Sequence, residues 1–175
     1  MFELSPHDPE HYRQQTRRSS FVVIAVFLAI AMLCATLMVQ LFGESGGDNF
    51  RWNLAGVLVG VAITVVVVRR VLWSQPFMAA AVYGWSLKRN LMRVTNVMHH
   101  VKAGVAAGDE TAMKVLRFYH QGVRQMHQLD ANSSEISQML AEVNAHLELM
   151  QARGLEVDQP RLDLAWLEAV KAYKV

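Results

Sequence analysis

The chain has 175 residues, a formal net charge of +2 and 53% apolar side chains. So small a net charge, with no aromatic-basic recognition motif, argues against a nucleic-acid partner, and a single cysteine, Cys34, excludes an internal disulfide framework. The apolar excess lies in two blocks, and those blocks set the class.

From Phe21 to Phe42 no residue is charged and Gln40 is the only strongly polar side chain. At about 1.5 Å per residue this run reaches roughly 33 Å, enough for a hydrocarbon core of about 30 Å. It is longer than the apolar region of a cleaved signal, and it leads into "GESGGDNF" rather than a small-residue cleavage site, so a retained anchor is expected. Leu33 stands before Cys34, where a lipid-modification site would want a small residue.

The second block, Asn53 to Val68, is short for a bilayer and ends against Arg69 and Arg70. Trp52 and Trp73 supply the missing length: they lie about 32 Å apart along a helix, and tryptophan favours both interfacial belts. The two arginines then fall about one turn inside the second belt, where their stems can carry the guanidinium groups to the headgroups. They read as interfacial anchors.

Arg13, Arg17 and Arg18 precede the first span and Arg69 and Arg70 close the second, whereas the intervening loop holds only Arg51. This bias places both termini in the cytoplasm. The expected organisation is a basic cytoplasmic segment 1–19, a transmembrane hairpin 20–73 with spans at about 21–42 and 52–73 and an extracytoplasmic turn 43–51, and a cytoplasmic helical domain 74–175. Gly46-Gly47-Asp48-Asn49 suits the turn. No acid, histidine or lysine lies within either span, which argues against a self-contained transporter.

Gly56 and Gly60 form a small-xxx-small pair, and Ala25/Ala29 and Ala31/Ala35 repeat the spacing in the first span. Such residues let membrane helices approach closely. Packing within the hairpin and association with another copy or another membrane subunit both fit.

Between Arg69 and Gly104 there are six basic residues and no acid. Lys88, Arg89 and Arg93 in this stretch suit an anionic cytoplasmic leaflet, which attracts each nearby cation by about 1 kcal/mol. Beyond the membrane the periodicity is helical. One helix is expected from Ser74 as cap and Pro76 in the first turn through to Gly108, with a stripe of Leu87, Leu91, Val94, Val97, Met98 and Val101. Asp109 caps the next, with Met113, Leu116, Tyr119, Val123 and Met126 facing inward. Asn132-Ser-Ser-Glu135 resembles a capping box before Ile136, Met139, Leu140, Val143, Leu147 and Met150, and Gly154 ends that helix. Pro160 and Asp163 introduce a short last helix with Trp166, Leu167, Val170 and Tyr173. No strand is expected. The fold class is thus an all-α membrane protein, a two-helix transmembrane hairpin followed by an antiparallel helical bundle.

The segments "GDNFRWNLAGV", "AVYGWSLKRNLMRVTNVMHHVKA" and "AMKVLRFYHQGVRQMHQLD", with the N-terminal "YRQQTRR", resemble a small proteobacterial inner-membrane family defined only as a domain of unknown function. The resemblance covers nearly the whole chain. It implies a bacterial inner membrane and carries no catalytic residues.

Chemistry would have to come from histidines. His120 and His127 are seven apart on one face, and Glu142 with His146 is an i, i+4 pair, so a bundle metal site using His120 and His127 is the alternative reading. Against it, neither Glu-x-x-His pairs on two helices nor His-Glu-x-x-His occurs, and adjacent His99 and His100 point about 100° apart on a helix. No phosphate loop, nucleophile elbow or paired-carboxylate motif is present. No cofactor and no catalytic residue is expected. The preferred function is a membrane-anchored interaction or assembly module, self-associating or binding another protein; an enzyme or metal-binding bundle is the alternative.

Overall fold

A computed structural model describes residues 1–132 and 136–173. Seven α-helices carry the described chain: α1 Pro9–Phe42, α2 Phe50–Val67, α3 Ala79–Thr95, α4 Met98–Ala106, α5 Glu110–Asp130, α6 Ile136–Ala152 and α7 Leu164–Val170. Two short strands, β1 Phe2–Glu3 and β2 Arg161–Leu162, pair antiparallel with Phe2 opposite Leu162. The chain divides into two compact units, residues 14–82 and residues 1–13 with 83–175.

The first unit is an apolar helical hairpin. α1 and the continuous stretch Phe50–Leu72 are both long and apolar enough to cross a membrane. α1 is one unbroken helix from Pro9, so Arg13, Arg17 and Arg18 stand on the same helix as the first apolar block. Asn49 fixes the turn: its side chain accepts from Glu44 N at 2.9 Å and donates to the Glu44 carbonyl at 3.0 Å, while Gly46 takes the positive φ of 78° that the reversal needs. α2 ends in a π-helical turn, Val68–Leu72, closed by Trp73 N–H donating to the Val68 carbonyl at 2.8 Å. Arg69 and Arg70 lie in that turn.

The second unit is a small helical domain built around α5. This helix packs on α4, α6, α7 and β2, so it is buried on more than the single expected stripe. Met113, Leu116 and Val123 are buried as expected, and so are Ala112, Val115 and Phe118. Asp109 caps α5, accepting from Ala112 N at 2.6 Å. Asp163 likewise caps α7 through Ala165 N at 3.0 Å, and Gly154, with φ of 68°, ends α6.

Four expectations are corrected. The helix expected from Pro76 to Gly108 is broken: Pro76–Met78 is a 3-10 turn, and the helix breaks again at Asn96-Val97, where Thr95, Asn96 and Val97 put three poor helix formers in a row. Gln75, in extended conformation, stands at the start of the turn rather than Ser74. Leu140, placed on the buried stripe of α6, is exposed. Strands do form, because Phe2 has aromatic partners to reach and the backbone of Leu4 extends the bridge by donating to the Pro160 carbonyl at 2.7 Å. The expected capping box runs from Asn132 into residues 133–135, which lie outside the described residues, as do the side chains of Ile136 and Met139.

Candidate functional site

Three groupings of side chains have chemistry to examine. The first is a buried histidine pair between α5 and α6. His120 is 3% exposed and His146 5%, and their rings meet edge to face with centroids 5.4 Å apart. His146 Nε2 lies 3.1 Å from the Met113 carbonyl, so it carries the proton and donates. His120 Nδ1 is buried without a hydrogen-bond partner. Desolvation, and after it the neighbouring His146, pushes the His120 pKa down from 6.5 to about 4. Burial lowers His146 as well, against the bond to Met113. Both rings are therefore neutral at neutral pH. Glu142, one turn before His146, is held below the usual carboxylate range by its hydrogen bond from Lys102, whose Nζ lies 2.9 Å away.

His127, the partner proposed for His120, is buried elsewhere on α5. Seven residues put the two about 10.5 Å apart along the helix, too far for ligand distances near 2 Å to one ion. Among the described residues no three His, Cys, Asp or Glu side chains converge on a point that could hold a metal. The adjacent His99 and His100 differ from expectation: their side chains turn toward each other, with ring centroids 3.9 Å apart, and His100 Nδ1 donates to the Tyr173 carbonyl at 2.5 Å.

The second grouping is a clasp at the N-terminus that the sequence reading missed. Tyr83 Oη donates to Gln125 Oε1 at 2.7 Å and accepts from Ser5 N at 3.2 Å, while Gln125 Nε2 donates to the Ser5 carbonyl at 2.6 Å. Phe2 stacks on Tyr83 and meets Phe118 edge-on, and His7 stacks on Tyr83 at 4.1 Å. Tyr12 packs on Gly84, where a side chain on α3 would collide with its hydroxyl. Residues 1–13 thus share one compact unit with residues 83–175. No local signal exposes this, since its partners are more than 70 positions apart in sequence.

The third grouping comprises residues of the apolar hairpin and the basic face of α3. Gly56 and Gly60 are buried against α1, over Ala35 and Ala31 respectively. Ala25 and Ala29 point out of the hairpin and are exposed. Trp52, half-buried, stacks on Phe42 with centroids 5.1 Å apart; Trp73 is half-buried, and Arg69 and Arg70 are exposed. On α3, Lys88 pairs with Asp130 of α5 at 2.9 Å, the Arg89 guanidinium lies 4.8 Å above the Trp85 ring, and Arg93 donates to Asn90 Oδ1 at 3.3 Å. Trp85 and Met92, which the sequence reading passed over, are exposed on the same helix; an apolar i, i+7 pair flanked by bases is the signal that marks them.

Together these features define an all-α protein with two helices able to cross a membrane and a helical domain clasped to its own N-terminus. The chain belongs to the family described as "Protein of unknown function (DUF3087)", whose model matches residues 2–167. No curated protein and no solved structure matches it.

Proposed function

We propose that the protein is a membrane-anchored interaction or assembly module of a bacterial inner membrane, with both termini cytoplasmic and a helical domain that associates with itself or with another protein. The observation that carries this reading is the clasp. Phe2 and Glu3 pair with Leu162 and Arg161, so the chain before the first apolar helix and the chain after the second share one fold. A strand pair cannot form across a bilayer, so the two helices make an even number of crossings. Arg13, Arg17, Arg18, Arg69 and Arg70, against Arg51 alone in the loop, favour the cytoplasm for the shared side.

The domain offers a groove of about 340 Å³ between the end of α3 and α7, lined by Val97, Leu164 and Leu167 with Arg93, Glu168 and Lys171 at its rim. Leu164 is exposed there, which supports a contact surface. The test is the particle size of the full chain in mild detergent beside a Leu164→Glu variant, with copurifying proteins identified. A wild-type particle larger than one chain in its micelle, or a stoichiometric partner, reduced in the variant, is the expected result. A monomer with no stoichiometric companion in either protein would dismiss the reading.

A further inference from the structure

We infer that the outward face of α3, carrying Trp85, Arg89, Met92 and Arg93, is a seat for anionic lipid headgroups. This rests on the membrane-anchored reading above and adds the ligand and the residues.

Trp85 is 45% exposed and Met92 61%, and seven residues bring them onto one face about 10.5 Å apart. Between them lies a shallow depression of about 460 Å³ formed by Trp85, Lys88, Arg89, Met92 and Arg93. Arg89 lines it between Trp85 and Met92 in sequence. Lying 4.8 Å above the Trp85 ring, the guanidinium uses its flat face on the indole and keeps its edge donors for phosphate oxygens. Arg93 uses one nitrogen on Asn90 and has others to give. Lys88 is committed to Asp130, so the two arginines supply the charge. A tryptophan and a methionine beside two arginines present an apolar wedge with cationic flanks, the composition of a helix lying at the lipid interface.

Position along the chain agrees. Only Trp73, Ser74 and Gln75 separate the π-helical turn from the 3-10 turn that leads into α3. No acid occurs between Arg69 and Gly104, and Asp130, which reaches this face, is paired with Lys88. A second copy is the poorer occupant, because two such faces would oppose Arg89 and Arg93 to one another.

The test places the full chain in nanodiscs of phosphatidylcholine, alone or with roughly one-third phosphatidylglycerol. A fluorophore at Met92→Cys in a Cys34→Ser background reports quenching by a headgroup nitroxide, with the same probe at Glu148→Cys on α6 as control. Quenching at position 92 should exceed the control, rise with phosphatidylglycerol and fall with salt. Arg89→Gln with Arg93→Gln should weaken docking about 30-fold, from about 1 kcal/mol for each lost cation, and the two lysine variants should restore it. Quenching at 92 no greater than at 148, or unchanged by the glutamine variants, would overturn the inference. So would a probe shielded only in native membranes, which assigns the face to a protein. Because inserted protein is the starting material, such a failure leaves the anchored reading standing.

Discussion

Gly56 lies directly over the backbone of Ala35: a Cβ added at Gly56 would stand 2.7 Å from the Ala35 nitrogen and 2.8 Å from the Cys34 carbonyl carbon. Gly60 meets Ala31 in the same way, so both glycines are engaged within the hairpin. Backbone cannot retreat as a side-chain tip can, and overpacking of this kind costs about 1–3 kcal/mol or more. Gly56→Leu should therefore lower the thermal midpoint of the detergent-solubilised protein, while Ala25→Leu, on the exposed side, should leave it unchanged. If Ala25→Leu lowers it as much as Gly56→Leu, the seam has been misplaced.

The histidine pair predicts a pH dependence with a definite sign. Unfolded, His120 takes up its proton near pH 6.5; folded, it does so only near about 4. Between those values the unfolded chain holds more protons, so stability is full above about pH 6.5 and falls as pH drops toward 4. His146, also lowered, acts in the same direction. The loss at His120 is about 2 kcal/mol after allowance for solvent screening. Equilibrium unfolding of the detergent-solubilised protein from pH 7.5 to 4 measures it, and His120→Leu should flatten the curve. A variant as pH-sensitive as the wild type would remove His120 from the account.

What could be read in advance divides along the range of the interactions. The apolar blocks, the Asp109 and Asp163 caps and the Gly154 terminus each depend on neighbours within a turn or a single run of residues, and each was legible. The pairing of His120 with His146 depends on how α5 meets α6, and periodicity carries no such information; it pointed instead to His127, which shares a face but not a neighbourhood. The clasp is more distant still, since Ser5, Tyr83 and Gln125 form a network only after the chain has folded back on itself. The break at Asn96-Val97 was locally visible as poor helix propensity, but the apolar stripe running through it masked the signal.

The clasp yields a prediction about its hydroxyl. Tyr83→Phe keeps the ring that stacks on Phe2 and His7 but removes the bonds to Gln125 and Ser5. Loss of these partly buried hydrogen bonds should weaken the closed strap by about 1–2 kcal/mol, or roughly 5- to 30-fold in its opening equilibrium. Chymotryptic cleavage near Phe2 and Leu4 should accelerate to that extent with the helical content unchanged. Equal cleavage rates in the two proteins would mean that β1 pairing alone holds the strap.

Arg69 and Arg70 supply the last prediction. They stand in a π-helical turn at the end of the second apolar helix, exposed, with Trp73 just beyond. Lysine at both positions retains a charged head on a flexible stem, so insertion and orientation should survive. On the proposed topology, glutamine at both positions removes two of the charges that favour the cytoplasm for this end, while Arg13, Arg17 and Arg18 remain at the other. The expected outcome is a partial loss of orientation rather than an inverted protein. Reporter fusions at residue 47 and at the C-terminus measure it: opposite sides in wild type and in the lysine variant, and a mixed signal at the C-terminus in the glutamine variant. Both reporters on one side in wild type would mean that the two apolar helices do not cross as a hairpin, whereas a glutamine variant as well oriented as wild type would leave orientation to the N-terminal arginines alone.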